Sequence, residues 1–344
     1  MATIYDIAKR AGVSPATVSR VLNSYPDVSP KTRAKVQRVI QDLDYQPSSL
    51  ARGLATKRSM TIGAFVKEGP NDGLRHPLLS DVLATFQDVA GEKGYDILFF
   101  SLNEANPQPD KYEAIARYRH VDGLLVLGLP RTDPAVIALS TCGIPCISID
   151  LDLIGPRAGY VMSDNVGGAM QAVEFLVRHG HRAIAFIGDQ FATKPGHDRL
   201  IGFQRAIQAF HLPFRPEWVQ EGDFTDASGY QAMQRLFELP DIPTAVFCAS
   251  DLMAIGAMRA IQERGLNVGA DISVIGFDDI RWASMVTPAL TTIRQRKDEL
   301  GRQAAYALLR MMEEPSALPP VITVPTELVV RDTVGVCQVK SWPG

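Results

Sequence analysis

The sequence predicts an N-terminal all-α helix-turn-helix domain joined to a larger α/β body built on two parallel sheets. Three observations carry this. Residues 3–23 read as two short amphipathic helices around a glycine turn. From residue 61 the helical periodicity gives way to alternating strands and helices. A length of 344 residues with 46% hydrophobic content suffices for more than one core.

The first helix places Ile4, Ile7, Ala8 and Ala11 on one apolar face. Thr3 and Asp6 form a capping box at its start. Gly12 ends it, because glycine enters the left-handed cap conformation without a steric penalty. Ser14 then caps a second helix whose first position, Pro15, needs no N–H. Val18, Val21 and Leu22 turn inward, leaving Ala16, Thr17, Ser19, Arg20 and Asn23 outward. Ser29-Pro30 repeats the same start for a third helix, with Val36, Val39, Ile40 and Leu43 completing a small core. Pro47 closes the domain, since the residue before proline avoids the helical region. The expected domain is 1–46.

Residues 47–59 form a linker, beginning PSSLARGLATKR. A short helix here would carry Leu50, Ala51 and Leu54 on one side. Gly53 in its middle costs roughly 1 kcal/mol relative to alanine, and so short a helix is marginal in water. A flexible tether is the plain alternative.

Beyond residue 61, TIGAFV, YDILFFS, GLLVLG, PCISID, AIAFIG, TAVFCAS and DISVIGFD read as strands that are apolar on both faces. Amphipathic stretches at 78–92, 166–178, 198–210, 228–236 and 251–263 separate them. Such alternation implies parallel sheets covered on both sides, with ligands bound beyond the carboxyl ends of the strands. Those ends are polar: Asp150, Ser250-Asp251 and Asp278-Asp279. Asp251 reads as a helix cap; no clear apolar helix follows Asp278 directly, which marks it for another use.

Net charge is −3, but its distribution is uneven. Residues 1–60 hold ten basic and four acidic residues, and the remainder 25 against 34. A basic module on an acidic body fits phosphate contact at one end. Cys142, Cys146, Cys248 and Cys337 lack metal-site spacing and read as packing residues, and His179 and His181 as turn residues. No metal or cofactor is expected. No apolar signal region or spanning run is visible, so a cytoplasmic protein is expected. The chain lacks G-x-G-x-x-G, a P-loop and G-x-S-x-G after a strand, which argues against an enzyme.

The residues closely resemble lactose-repressor-type (LacI family) transcription regulators over nearly the whole chain. TIYDIAKRAGVSPATVSRVLN is followed in family order by VDGLLVLG, DNVGG at 164–168, HGHRAIAFIG, RLIGF, GDF…SGY, SDLMAIGAMRAIQERGL, ADISVIGFDD and PALTTIRQ. The resemblance implies a helix-turn-helix fused to a two-lobed, periplasmic-binding-protein-like body at 60–334. It places one lobe at about 60–160 and 291–320, the other at about 161–290 and 321–334, and a tail at 335–344. It implies a homodimer on a pseudo-palindromic double-stranded DNA operator. The implied DNA contacts are Thr3, Tyr5, Ser14, Pro15, Ala16, Thr17, Ser19, Arg20, Asn23, Ser29, Lys31 and Thr32. Ala51 and Leu54 would join them from a hinge helix that wedges the leucine into the minor groove.

In such proteins a small effector sits between the lobes. Carried over by position, Arg199 and Asp278 would hydrogen-bond it, Phe224 would stack on it, and Asp150 and Asp164 would face it. His76, Leu78 and Leu79 stand where the family often has aromatics, and Ser250 replaces a usual asparagine. An arginine fork, carboxylates and an aromatic platform suit a sugar. A nucleobase or sugar phosphate acting as corepressor, or control by a protein partner, is the alternative.

Overall fold

A computed structural model describes residues 2–22, 25–45, 58–66, 73–100 and 111–337. The chain divides into two compact units, Met1–Ser59 and Met60–Gly344. The expected linker at 47–59, with Ala51, Gly53 and Leu54, lies almost wholly outside the described residues, as does Asn23.

Among the described residues the first unit holds three helices: α1 (Ile4–Ala11), α2 (Pro15–Leu22) and α3 (Pro30–Asp42). The capping box forms, with Asp6 N–H donating to Thr3 Oγ1 at 3.3 Å and Thr3 N–H to Asp6 Oδ2 at 2.8 Å. Gly12 adopts φ +58° at the turn. Ser14 and Ser29 accept from the N–H of Thr17 and Thr32 at 3.1 and 3.2 Å, which starts α2 and α3. Ile7, Ala8, Ala11, Val18, Val21, Val36 and Val39 fill the core between them.

The second unit contains two six-stranded sheets. In the first, β1 (Thr61–Val66), β2 (Asp96–Phe100), β3 (Gly123–Leu127), β4 (Cys146–Ile149), β5 (Ala158–Ser163) and β11 (Val321–Val324) run in the order β11-β5-β4-β3-β1-β2. All its pairings are parallel. The second comprises β6 (Ile184–Gly188), β7 (Val219–Glu221), β8 (Ala245–Cys248), β9 (Ser273–Asp278), β10 (Thr291–Arg294) and β12 (Glu327–Val329). Its order is β12-β10-β9-β8-β6-β7, and only β12 is antiparallel. Helices cover both faces of each sheet, as doubly apolar strands require.

The lobe boundaries expected from the sequence are corrected. Strand β5 stays whole in the first sheet, so the first crossing follows Ser163, not residue 160. Strand β10 pairs with β9, so 291–294 belongs to the second lobe. Strand β11 pairs with β5, so 321–324 belongs to the first. These strands are short and threonine- or glycine-bearing, and read as connections when only long apolar runs are sought. The amphipathic helix Lys297–Glu313 packs Leu300, Ala304, Leu308 and Met311 into the first lobe's core. Residues 335–337 are not a free tail: Gly335 N–H donates to Ser273 Oγ at 3.1 Å and Cys337 N–H to His179 O at 2.8 Å.

The three crossings are tied together. Ser163 Oγ donates to Gln295 Oε1 at 2.6 Å, and Asp164 N–H to Val324 O at 2.8 Å. Thr326 Oγ1 donates to Asp164 O at 3.4 Å.

Two glycines set the helix packing of the second lobe. A Cβ on Gly256 would lie 1.9 Å from Asp226 O, and one on Gly229 2.1 Å from Met253 O. The helices Asp226–Phe237 and Asp251–Glu263 therefore touch backbone to backbone. Gly256→Ala is expected to cost about 1–3 kcal/mol, because backbone cannot yield as a side chain does. A lowered urea midpoint at unchanged m-value would record it.

Cys142, Cys146 and Cys248 are buried and free, and burial pushes their thiols up. His181 is buried between Thr244 Oγ1 and Gly335 O, with its pKa lowered by burial. Among the described residues no acidic, His and Cys group could hold a metal ion, and no helix is long and apolar enough to cross a membrane.

Candidate functional site

Two places gather the residues singled out in the sequence. On the helical unit, Tyr5, Pro15, Ala16, Arg20 and Lys31 are exposed, while Thr17, Ser19 and Thr32 are half-buried. The hydroxyls of Ser14 and Thr17 lie 2.9 Å apart, and those of Ser29 and Thr32 the same distance. These pairs define the helix starts, so their hydroxyls are engaged before any ligand arrives. Arg20 is the exposed cation of α2, and its Nη1 lies 3.0 Å from Asp27 Oδ2.

In the larger unit, a cleft encloses about 650 Å³ of empty space, partly open to solvent. His76, Leu78, Leu79, Asp150, Arg199, Phe224 and Asp278 line it, together with Gly128, Leu129, Thr193 and Pro195. First-lobe residues follow strands β1, β3 and β4, and second-lobe residues follow β6 and β7 or end β9, so the site sits beyond the carboxyl ends of both sheets. Three of its non-glycine residues carry positive φ: Asp150 at +57°, Phe224 at +67° and Asp278 at +120°. Each such conformation costs of order 1–3 kcal/mol, and strain of this kind concentrates at ligand-binding sites, which makes the cleft the candidate.

Arg199 anchors the second lobe's wall although it is only 1% exposed. Its Nε donates to Asn165 Oδ1 at 2.9 Å, and its Nη1 to Ala249 O at 2.5 Å and Asp278 Oδ1 at 3.3 Å. Its guanidinium stacks 3.8 Å from the Phe277 ring centroid. Nη2 makes no hydrogen bond among the described residues and is the donor left for a ligand. Asp278 is held in turn by Gln295 Nε2 at 2.6 Å. Burial raises the Asp278 pKa, against the pull of Arg199 and His76.

Asp150 closes the opposite side. Its Oδ1 is buried and has no hydrogen-bond partner. Burial pushes its carboxyl up to about 6, with Arg199 pulling it down and the Asp278 carboxylate pushing it up. A buried acceptor with no partner costs roughly 1–3 kcal/mol, which a ligand hydroxyl or N–H would recover. Between about pH 4 and 6 the folded chain keeps a proton that the unfolded chain has released, so stability falls as pH rises through that window. Asp150→Asn removes this penalty and is expected to raise stability near pH 7 by about 2–3 kcal/mol. Melting curves at pH 5 and pH 7 would show the gain growing with pH.

Two expected site residues lie elsewhere. Asp164 caps the helix Asn165–Arg178, accepting from Gly167 N–H at 2.8 Å. Ser250 is fully buried and accepts from Met253 N–H at 3.2 Å, capping Asp251–Glu263. Neither lines the cleft. Asp251 is therefore not the cap. Its carboxylate accepts from Thr292 Oγ1 at 2.5 Å and Ile280 N–H at 2.8 Å, which fixes the segment after Asp278. The neighbouring Asp279 is held below its usual pKa: burial opposes this, but bonds from Arg294 and Arg331 outweigh it.

Sequence reasoning missed Thr193, Pro195, Asn165 and Gln295. Thr193 is carried by a loop wrapped round Asp189, whose carboxylate accepts from the N–H of Phe191, Ala192 and Thr193 at 2.9, 2.8 and 2.6 Å. Asn165 and Gln295 stood inside the DNVGG and PALTTIRQ segments, but only the fold brings them to Arg199 and Asp278.

Residues 3–48 match the model of bacterial regulatory proteins of the lacI family, and 173–334 that of a periplasmic binding protein-like domain. The HTH-type transcriptional repressor PurR of Histophilus somni (strain 129Pt) is 35% identical over 337 residues, covering 97% of this chain and 99% of the relative. The chain belongs to the LacI family of transcriptional regulators. A second LacI-family relative, the probable HTH-type transcriptional repressor ExuR of Bacillus subtilis (strain 168), is 35% identical over 97% of this chain and 98% of its own. Among solved LacI-family structures, the lac repressor dimer bound to operator and the anti-inducer ONPF superposes with a TM-score of 0.85 at 32% identity. It covers 96% of this chain and 98% of that one. A complex of the transcriptional regulator CelR with cellobiose gives a TM-score of 0.74, also at 32% identity, covering 97% and 100%.

Proposed function

We propose that this LacI-family regulator is a homodimeric repressor whose operator binding is relieved by a neutral sugar held in the cleft. The helical unit, the linker and the two-lobed body would be its reading head, hinge and effector domain. The observation that carries the effector class is the unpartnered Asp150 Oδ1 facing Arg199 and Asp278 across the cleft. The wall is short of hydrogen-bond donors from the ligand and already holds two carboxylates. A phosphorylated or carboxylated effector would bring a third negative group beside them, while a diol donates to Asp150 and accepts from Arg199 Nη2. Phe224 offers the apolar face on which a sugar ring stacks.

A nucleobase with ring N–H donors would use the same groups, and it is the second reading because Phe224 accepts any flat ring. Calorimetry against neutral mono- and disaccharides, uronates, sugar phosphates and purine bases tests the class. Binding of an anion in preference to its neutral counterpart would refute it. The bound sugar donates to ionised Asp150, so affinity is expected to hold above about pH 6 and to fall below it, by up to tenfold per unit. Asp150→Asn should flatten that profile.

A further inference from the structure

We propose that Asp27 braces Arg20 for base reading, so that a residue outside the recognition helix sets specificity. The proposal rests on the reading of Arg20 as a base contact. Asp27 Oδ2 lies 3.0 Å from Arg20 Nη1, in the turn between α2 and α3. That turn is anchored on both sides of Asp27. Tyr25 N–H donates to the Arg20 carbonyl at 3.0 Å, and Arg33 Nη2 donates to Tyr25 O at 2.5 Å. On the other side, Ser29 is fixed as the cap of α3. The carboxylate is thus delivered to Arg20 by backbone that is bonded to Arg20 itself.

The two side chains remain 60% and 51% exposed, and so open a pair contributes little to folding. A carboxylate on a surface that meets phosphates also works against binding. Its benefit lies in geometry. The guanidinium is planar, and a carboxylate on Nη1 leaves Nε and Nη2 side by side on one edge. That edge spans guanine O6 and N7. Holding a rotamer-rich side chain in place before binding spares an ordering cost equivalent to roughly 2- to 12-fold in affinity.

The test uses the full chain, a duplex selected from a randomised pool by the wild-type protein, and a scrambled duplex. Asp27→Ala should weaken the selected duplex about fivefold, within the ordering range above, and tighten the scrambled one. Asp27→Asn, which keeps an acceptor oxygen but no charge, should tighten scrambled DNA equally yet retain most selectivity. In an Arg20→Ala background, Asp27→Ala should no longer change selectivity at any base pair. If Arg20→Ala is base-selective but Asp27→Ala tightens both duplexes alike, Asp27 only repels phosphate and the bracing role is wrong. If Arg20→Ala itself weakens both duplexes equally, the reading role of Arg20 falls and takes the brace with it.

Discussion

Arg199→Ala is expected to abolish effector binding and to destabilise the larger unit by about 3–5 kcal/mol. The magnitude follows from what the substitution leaves behind. Asp278 would stay buried without its cation, and Asn165 Oδ1 and Ala249 O would lose a donor. The Phe277 ring would lose the guanidinium stacked on it. From the sequence alone the residue reads as a ligand contact. The structure makes it a structural keystone as well. A second change separates the roles: adding Asp278→Asn should restore much of the stability, since no buried charge is then unpaired, yet restore no effector binding. Urea unfolding and calorimetry on the single and double variants would check both halves.

Arg20→Ala carries the second large effect. A bidentate arginine–guanine contact is worth about 1–3 kcal/mol of discrimination, so the variant should lose roughly 5- to 150-fold at one base pair per half-site. Pro15 and Ala16, the neighbouring exposed residues of α2, bring no side-chain hydrogen bond. Of these three exposed residues, Arg20 is therefore expected to carry the readout. Binding to single-base variants of the selected duplex should show one pair at which wild type discriminates and the variant does not. A loss spread evenly over all positions would assign Arg20 to the phosphates.

The helical unit was legible almost residue by residue because its signals are local. A capping box, a φ > 0 glycine and serine-proline helix starts all act within four residues of themselves. The long apolar strands were legible for the same reason. What failed was set by tertiary pairing. Strands β10 and β11, with Thr291, Thr292 and Thr323, carry no period strong enough to announce themselves, and their partners lie over a hundred residues away in the case of β5 and β11. The lobe boundaries moved with them. Of the residues named for the effector, those at the ends of long strands line the cleft, whereas Asp164 and Ser250 do not. Both are helix caps, and a polar residue after a strand looks the same whether it faces a ligand or an N–H. Gln295 was invisible as a site residue. Yet it bonds Asp278 at the cleft and Ser163 at the first crossing, which ties the cleft wall to the strands where the lobes join.

One coupling is central to the proposed function: a molecule between the lobes should change operator affinity, and it can do so only by binding the two lobe arrangements unequally. The direct measurement is operator affinity titrated with the tightest ligand from the calorimetric panel, for wild type and Asp150→Asn. The prediction is a neutral sugar that weakens wild-type operator binding at least tenfold, while the variant binds operator normally without ligand and responds weakly or not at all. A wild type whose operator affinity ignores every ligand that fills the cleft, or an Asp150→Asn protein that responds as wild type does, would contradict it.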